Sequence, residues 1–235
     1  MKEVKDSGSR FQALLDTYLT RGINALNDKE VLELMLCYSA PEKTAEALSD
    51  ELIEEYEVLK KVFEAPASSF DNTQINSQSL VLLGMITPLS AYYRFAQNEK
   101  LKKDTVFDKP EIIVDMIFPY YIGKKEEQVV LMLLDDENKL LFCDIVFRGN
   151  ISEADVNIRE LNHLCIKYRA AGAVISHNHP SGVPIPSDND INITKKIFAS
   201  MRSVGTVLQE HIIFAENDYG LMSKMKRCRG CFGEP

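Results

Sequence analysis

The chain has 235 residues, 45% hydrophobic and 26% charged, with a formal net charge of −8. That usage buries a sizeable core without staples and suits a medium domain plus a smaller one, which excludes a disordered chain or a disulfide scaffold. The acidic balance lacks the footprint of a dedicated nucleic-acid binder, no apolar run reaches membrane-spanning length, and with five cysteines behind a start without an apolar leader a reducing cytoplasm is the compartment expected.

Residues 1–104 read as a small helical module. Ala45, Leu48, Leu52, Tyr56 and Leu59 recur at helical spacing, and "NDKEVLELMLCYS" opens with capping residues. Residues 1–105 hold 12 Lys or Arg against 17 Asp or Glu, a net of −5, which offers no general attraction for phosphates. "KLKKDTVFDKPEI" interrupts the periodicity and sets the junction at 104/105.

From there the pattern changes. "QVVLMLLD" and "KLLFCDIVF" are apolar, β-branched runs around the turn-like "DDEN", an antiparallel strand pair. "DVNIRELNHLCIKYRAAG" predicts a helix with Ile158, Leu161, Leu164, Cys165 and Tyr168 on one face and Gly172 as its C-terminal cap. "AVISHNH" is a strand, "DNDINITKKIFASMRSVG" an amphipathic helix, "TVLQEHIIFA" a strand, and "ENDYGLMS" a turn into a last one. The fold class expected is α/β (α+β), a mixed sheet flanked by helices over residues 105–226, with 227–235 as a tail.

The chemistry concentrates in "SHNHPSGVPIPSDND", residues 176–190. Residues two apart on a strand share a face, so His177 and His179 aim both imidazoles at one point, an arrangement that suits Zn2+. Ser187 and Asp190 follow, in the first turn of the next helix, and Pro180, Pro184 and Pro186 stiffen the loop that folds that turn back toward the histidines. Two His and one carboxylate with an open fourth position is the ligand set of a catalytic zinc. A capping box explains Ser187 and Asp190 equally well without metal, yet leaves the histidine pair unexplained. An amidohydrolase barrel needs a longer chain, and a four-ligand zinc finger needs cysteines that the loop lacks.

The spacing H-x-H-x7-S-x2-D resembles the JAMM motif of MPN-domain metalloproteases, and "HNHPSG" followed by "PS" and an Asp is similar to the RadC branch. The likeness spans roughly residues 105–225, with "IRE", "FRGN" and "EHIIFAENDYGLMS" at family positions. The resemblance implies an MPN/JAMM-like, cytidine-deaminase-like fold, zinc held by His177, His179 and Asp190, and Ser187 as a hydroxyl near the oxyanion. It also implies a catalytic Glu on an early strand: Glu127, eight residues before Asp135, would be the base and Glu126 its silent neighbour.

Family members often carry a helix-hairpin-helix with a Gly-x-Gly turn. Here "NTQINSQSLVLLG" has none, so the module reads as degenerate and duplex DNA is not expected as a ligand. His211 is expected as a buried group behind the ligands, His163 on the surface, and Cys228 and Cys231 in the exposed tail. The resulting reading is a JAMM-type zinc hydrolase cleaving peptide or isopeptide-like amides. Its expected partners are a protein or peptide substrate and a second copy of the chain, with no membrane. The rival reading is a DNA-repair-type accessory protein that uses the fold as a binding scaffold.

Overall fold

The computed structural model describes residues 9–71, 73–101, 105–149, 157–180, 182–216 and 218–233. It divides into two compact units, Met1–Ser90 and Ala91–Pro235. The division falls inside a long helix, Ser77–Leu101, whose end lies just before the expected junction at 104/105.

The first unit is helical: α1 (Arg10–Arg21), α2 (Asp28–Leu36), α3 (Glu42–Tyr56), α4 (Leu59–Glu64) and the start of α5 (Ser77–Leu101). Asn27 begins α2 with a capping box, its Oδ1 accepting from Glu30 N at 2.9 Å while Asn27 N donates to Glu30 Oε2 at 3.1 Å. Leu32, Leu36, Ala45, Leu48, Leu52, Val62, Phe70 and Leu83 form the core. The stripe read through Tyr56 and Leu59 is not one helix. Glu57 takes φ 68°, and Leu59 starts α4 with its N–H donating to Asp28 Oδ2, although both side chains still pack on the same core. Within "NTQINSQSLVLLG" the described residues form a turn and the start of α5, where Asn76 Oδ1 accepts from Ser79 N; Asn72 lies outside the described residues.

The second unit is α+β. Its five strands are β1 (Gln128–Leu134), β2 (Leu140–Arg148), β3 (Gly172–Asn178), β4 (Val207–Ala215) and β5 (Asp218–Leu221), in the order β2-β1-β3-β4-β5. Only β3 and β4 run parallel, joined by the crossover helix α8 (Asp188–Ser203); the other pairs are antiparallel.

Strand alternation assigns two faces. Val129, Leu131, Leu133, Ala173 and Ile175 meet Leu161 and Cys165 of α7 (Ile158–Tyr168) and Ile193, Ile197 and Met201 of α8. Val130, Met132, Leu134, Val174, Ile212 and Phe214 meet Ile113, Val114, Met116 and Ile117 of α6 (Pro110–Ile117). Because both faces are covered, β1 and β3 are buried along their whole length. No described helix is long and apolar enough to cross a membrane.

Two expectations are corrected. Gly172 does not cap α7: the helix ends at Tyr168 because Arg169 turns left-handed (φ 52°, ψ 44°), which lets Ala170 N bond Cys165 O, and Gly172 opens β3. Cys228 and Cys231 are not in an exposed tail. Both are buried, packed with Ile191, Ile213 and Met222, since a free thiol behaves as a small hydrophobe. In "FRGN" and "IRE", Gly149 and residues 158–160 are described, whereas Asn150 lies outside the described residues.

Candidate metal centre

β3 delivers the first two groups. His177 is the last residue of β3 paired to β1, opposite Val129, and lies on the face shared with α7 and α8. His179 continues the line, its N–H donating to Phe214 O at 2.7 Å. The chain then turns through the proline loop, and Ser187 starts α8 with a capping box. Ser187 Oγ accepts from Asp190 N at 3.1 Å, while Ser187 N and Oγ each donate to Asp190 Oδ2 at 2.7 Å. The cap and the ligand set are therefore not alternatives. The bonds that start the helix are those that aim Asp190 back at the histidines.

The loop is held from outside as well. Val183 O accepts from His179 Nδ1 at 3.0 Å, and the next carbonyl, Pro184 O, presses on β5 so closely that a Cβ on Gly220 would lie 2.2 Å from it.

His177 Nε2 and His179 Nε2 lie 2.9 Å apart. Asp190 Oδ1 is 3.4 Å from the first and Oδ2 3.6 Å from the second. One ligand atom from each of the three residues fits within 4.8 Å of the others.

Hydrogen-bond donors fix the tautomers. Thr194 Oγ1 must donate to the carbonyl of Asp190, so toward His211 it can only accept, and His211 Nδ1 carries the proton across 2.6 Å. His211 Nε2 is then a lone pair and takes the proton of His177 Nδ1 at 2.8 Å. His179 Nδ1 spends its own proton on Val183 O. With these tautomers, and with His179 neutral, both Nε2 atoms face each other as lone pairs beside a carboxylate. That arrangement is repulsive by itself and becomes favourable with a cation between them.

The electrostatics agree for His177 and Asp190. Burial, aided by the neighbouring His211, holds His177 neutral by pushing its pKa well below the usual value, and burial lowers His211 to about 4. The bond to Asp190 raises His179 against its own burial. Burial opposes ionisation of Asp190, but His179, His177 and Ser187 outweigh it and keep the carboxylate charged. A neutral His177 and an ionised Asp190 are the protonation states a divalent cation requires, whereas on His179 the cation must displace the proton that Asp190 favours.

Glu127 is half-buried and lies in the extended lead-in to β1, one residue before the strand on which it was expected. It lies two residues before Val129, the partner of His177, and its charge adds to the rise in the His179 pKa. Glu126 is exposed. His163 is exposed on α7, and His211 is buried behind His177. Sequence reasoning passed over Thr194 and Asn178. Thr194 sits four residues after Asp190 on α8, and that i,i+4 spacing was the available signal. Asn178 hid between the two histidines.

A family model described as a RadC-like JAB domain matches residues 107–227. A UPF0758 protein of Carboxydothermus hydrogenoformans is 31% identical over 204 residues, 86% of this chain and 88% of its own. One of Pseudoalteromonas translucida is 30% identical over 83% of this chain and 86% of its own, and one of Fusobacterium nucleatum is 28% identical over 92% and 95%. With a metal-competent His-His-Asp group on a mixed sheet and this match over residues 107–227, more than half of the chain, the chain belongs to the RadC family, with a domain of the JAB/MPN type.

Proposed function

We propose that the protein is a zinc-dependent hydrolase of peptide or isopeptide-like amide bonds. The observation that carries this reading is the convergence of His177 Nε2, His179 Nε2 and the Asp190 carboxylate, with a second carboxylate, Glu127, near enough to act on the His179 charge. Two nitrogen ligands and one oxygen ligand match the set of a catalytic rather than structural zinc. Held by His177, His179 and Asp190, the ion would supply Lewis acidity and lower the pKa of water at the site.

The chain's own groups do the rest. Glu127 accepts the proton of the attacking water and hands it to the leaving nitrogen. Ser187, whose hydroxyl now donates to Asp190 Oδ2, rotates to donate to the oxygen on which charge develops. The net charge of −5 over residues 1–105 and the absence of a Gly-x-Gly turn in "NTQINSQSLVLLG" favour a protein or peptide over duplex DNA as the substrate.

The test is an unbiased screen of peptides and lysine-linked isopeptides with the zinc-loaded protein. Cleavage that a chelator stops, and that Glu127→Gln abolishes even when saturated with zinc, supports the reading. Zinc-loaded protein that cleaves no amide but retards duplex DNA would replace it with the binding-scaffold reading.

A further inference from the structure

The side chain of Asn178, between the two histidines, is buried and makes two bonds to one short segment. Its Oδ1 accepts from Gln128 N at 2.7 Å and its Nδ2 donates to Glu126 O at 3.1 Å. The segment it grips is the lead-in to β1, beyond the last ladder pair at Val129 and His177. A third bond closes the set: Gly149 N donates to Glu127 O at 2.8 Å.

These three bonds fix the peptide units on both sides of the Glu127 Cα. The unit before it is held through the Glu126 carbonyl. The unit after it is held through both the Glu127 carbonyl and the Gln128 N–H. With both planes fixed, φ and ψ of Glu127 are fixed, and so is the direction of its Cα–Cβ bond. A primary amide is suited to the task because it offers a donor and an acceptor side by side, as a strand's backbone does. Alternation sends Asn178 to the opposite face from His177 and His179, so it grips the segment without competing for their ligand atoms.

We infer that Asn178 is a positioning residue for Glu127. The three-residue stretch His177-Asn178-His179 thereby sets the aim of both ligand imidazoles and of the carboxylate that serves them. The inference rests on the hydrolase reading for its purpose, but the clamp itself is testable without zinc or substrate.

In metal-free protein, amide hydrogen exchange followed by NMR should show Gln128 and Gly149 protected. In Asn178→Ala both should exchange at least tenfold faster, while Met132 in the middle of β1 keeps its protection. Gly149 is the informative amide, since it touches Glu127 and not Asn178. If it stays protected in the variant, the inference is overturned. Asn178→Asp keeps the acceptor for Gln128 N but sets an oxygen against the Glu126 carbonyl; it serves if Asn178→Ala does not fold, with Gly149 again exchanging faster.

Zinc affinity, read by competition with a chromophoric chelator, separates positioning from a merely structural cap. Glu127→Gln should weaken zinc by roughly tenfold through loss of a nearby negative charge. Asn178→Ala should weaken it comparably, and the double variant should be no weaker than the weaker single one, because both act through one carboxylate. Losses that multiply would overturn the inference. Wild-type protein that takes up no zinc would sink the hydrolase reading while leaving the exchange result to decide the clamp.

Discussion

Replacing Thr194 by Val changes one atom's chemistry and almost no volume, and it cuts the relay that decides which nitrogen of His177 carries the proton. Thr194 is fully buried and His211 is 3% exposed, so no water replaces the lost hydroxyl. Two outcomes are open to His211. It can keep its proton on Nδ1, now a buried donor facing a methyl group, at a cost of about 1–3 kcal/mol to the fold. Alternatively it can move the proton to Nε2, which faces His177 Nδ1 at 2.8 Å and drives the His177 proton onto the ligand atom. The first loosens the ligand and the second blocks it, so zinc affinity should fall on the order of 10- to 100-fold either way. Thr194→Ser keeps the hydroxyl and should stay near wild type. The assay is chelator competition for affinity, with imidazole nitrogen shifts to read the tautomer. Thr194→Val within twofold of wild type in both zinc affinity and melting temperature would refute the relay.

At zinc concentrations that saturate its weakened site, Glu127→Gln should fold and carry the metal yet lose on the order of 10²-fold in turnover, with Glu126→Gln nearly silent, as steady-state kinetics on the substrate found in the screen would show. Gly220→Ala should push Pro184 and its neighbour Val183 away from His179, because its Cβ would meet Pro184 O at 2.2 Å; a lower melting temperature and weaker zinc binding are expected, read by calorimetry and competition. Metal-free protein should lose stability as pH falls from about 6.5 to about 4. His211 stays neutral in the fold down to about 4, whereas the unfolded chain takes up the proton near 6.5, which costs on the order of 3 kcal/mol across that window. His177, also depressed, acts in the same direction; His179, raised by Asp190, acts oppositely and loses its contribution as pH rises through its higher value. Denaturant titrations across that range measure the net slope, and a flat profile in the chelated protein would contradict the buried neutral pair.

The two strongest signals in the sequence were local and periodic. β1 and β3 stood out as apolar runs because both faces of the sheet are covered, and the H-x-H pair fell at the end of one of them, His177 in β3 and His179 just past it. The capping letters around Ser187 and Asp190 were legible too, but their double use was not, since a pattern of letters does not show that one carboxylate serves both a helix start and a cation. What escaped depends on distant contacts. Gly172 looked like a helix cap because nothing local marks Arg169 as the residue that turns left-handed. Cys228 and Cys231 looked exposed because their burial comes from Ile191 and Ile213, far away in sequence. Thr194 and Asn178 acquire their roles from His211, 17 residues on, and from the backbone of Glu126, 52 residues back.

The most direct measurement is elemental analysis of the protein purified gently without added metal, beside His177→Ala, His179→Ala and Asp190→Ala prepared identically. Three ligands converging from β3 and α8 predict close to one zinc per chain in the wild type and a strong loss in each variant, because two protein ligands are too few to retain the ion. Wild-type protein free of zinc, or full occupancy in a variant lacking both histidines, would contradict the account.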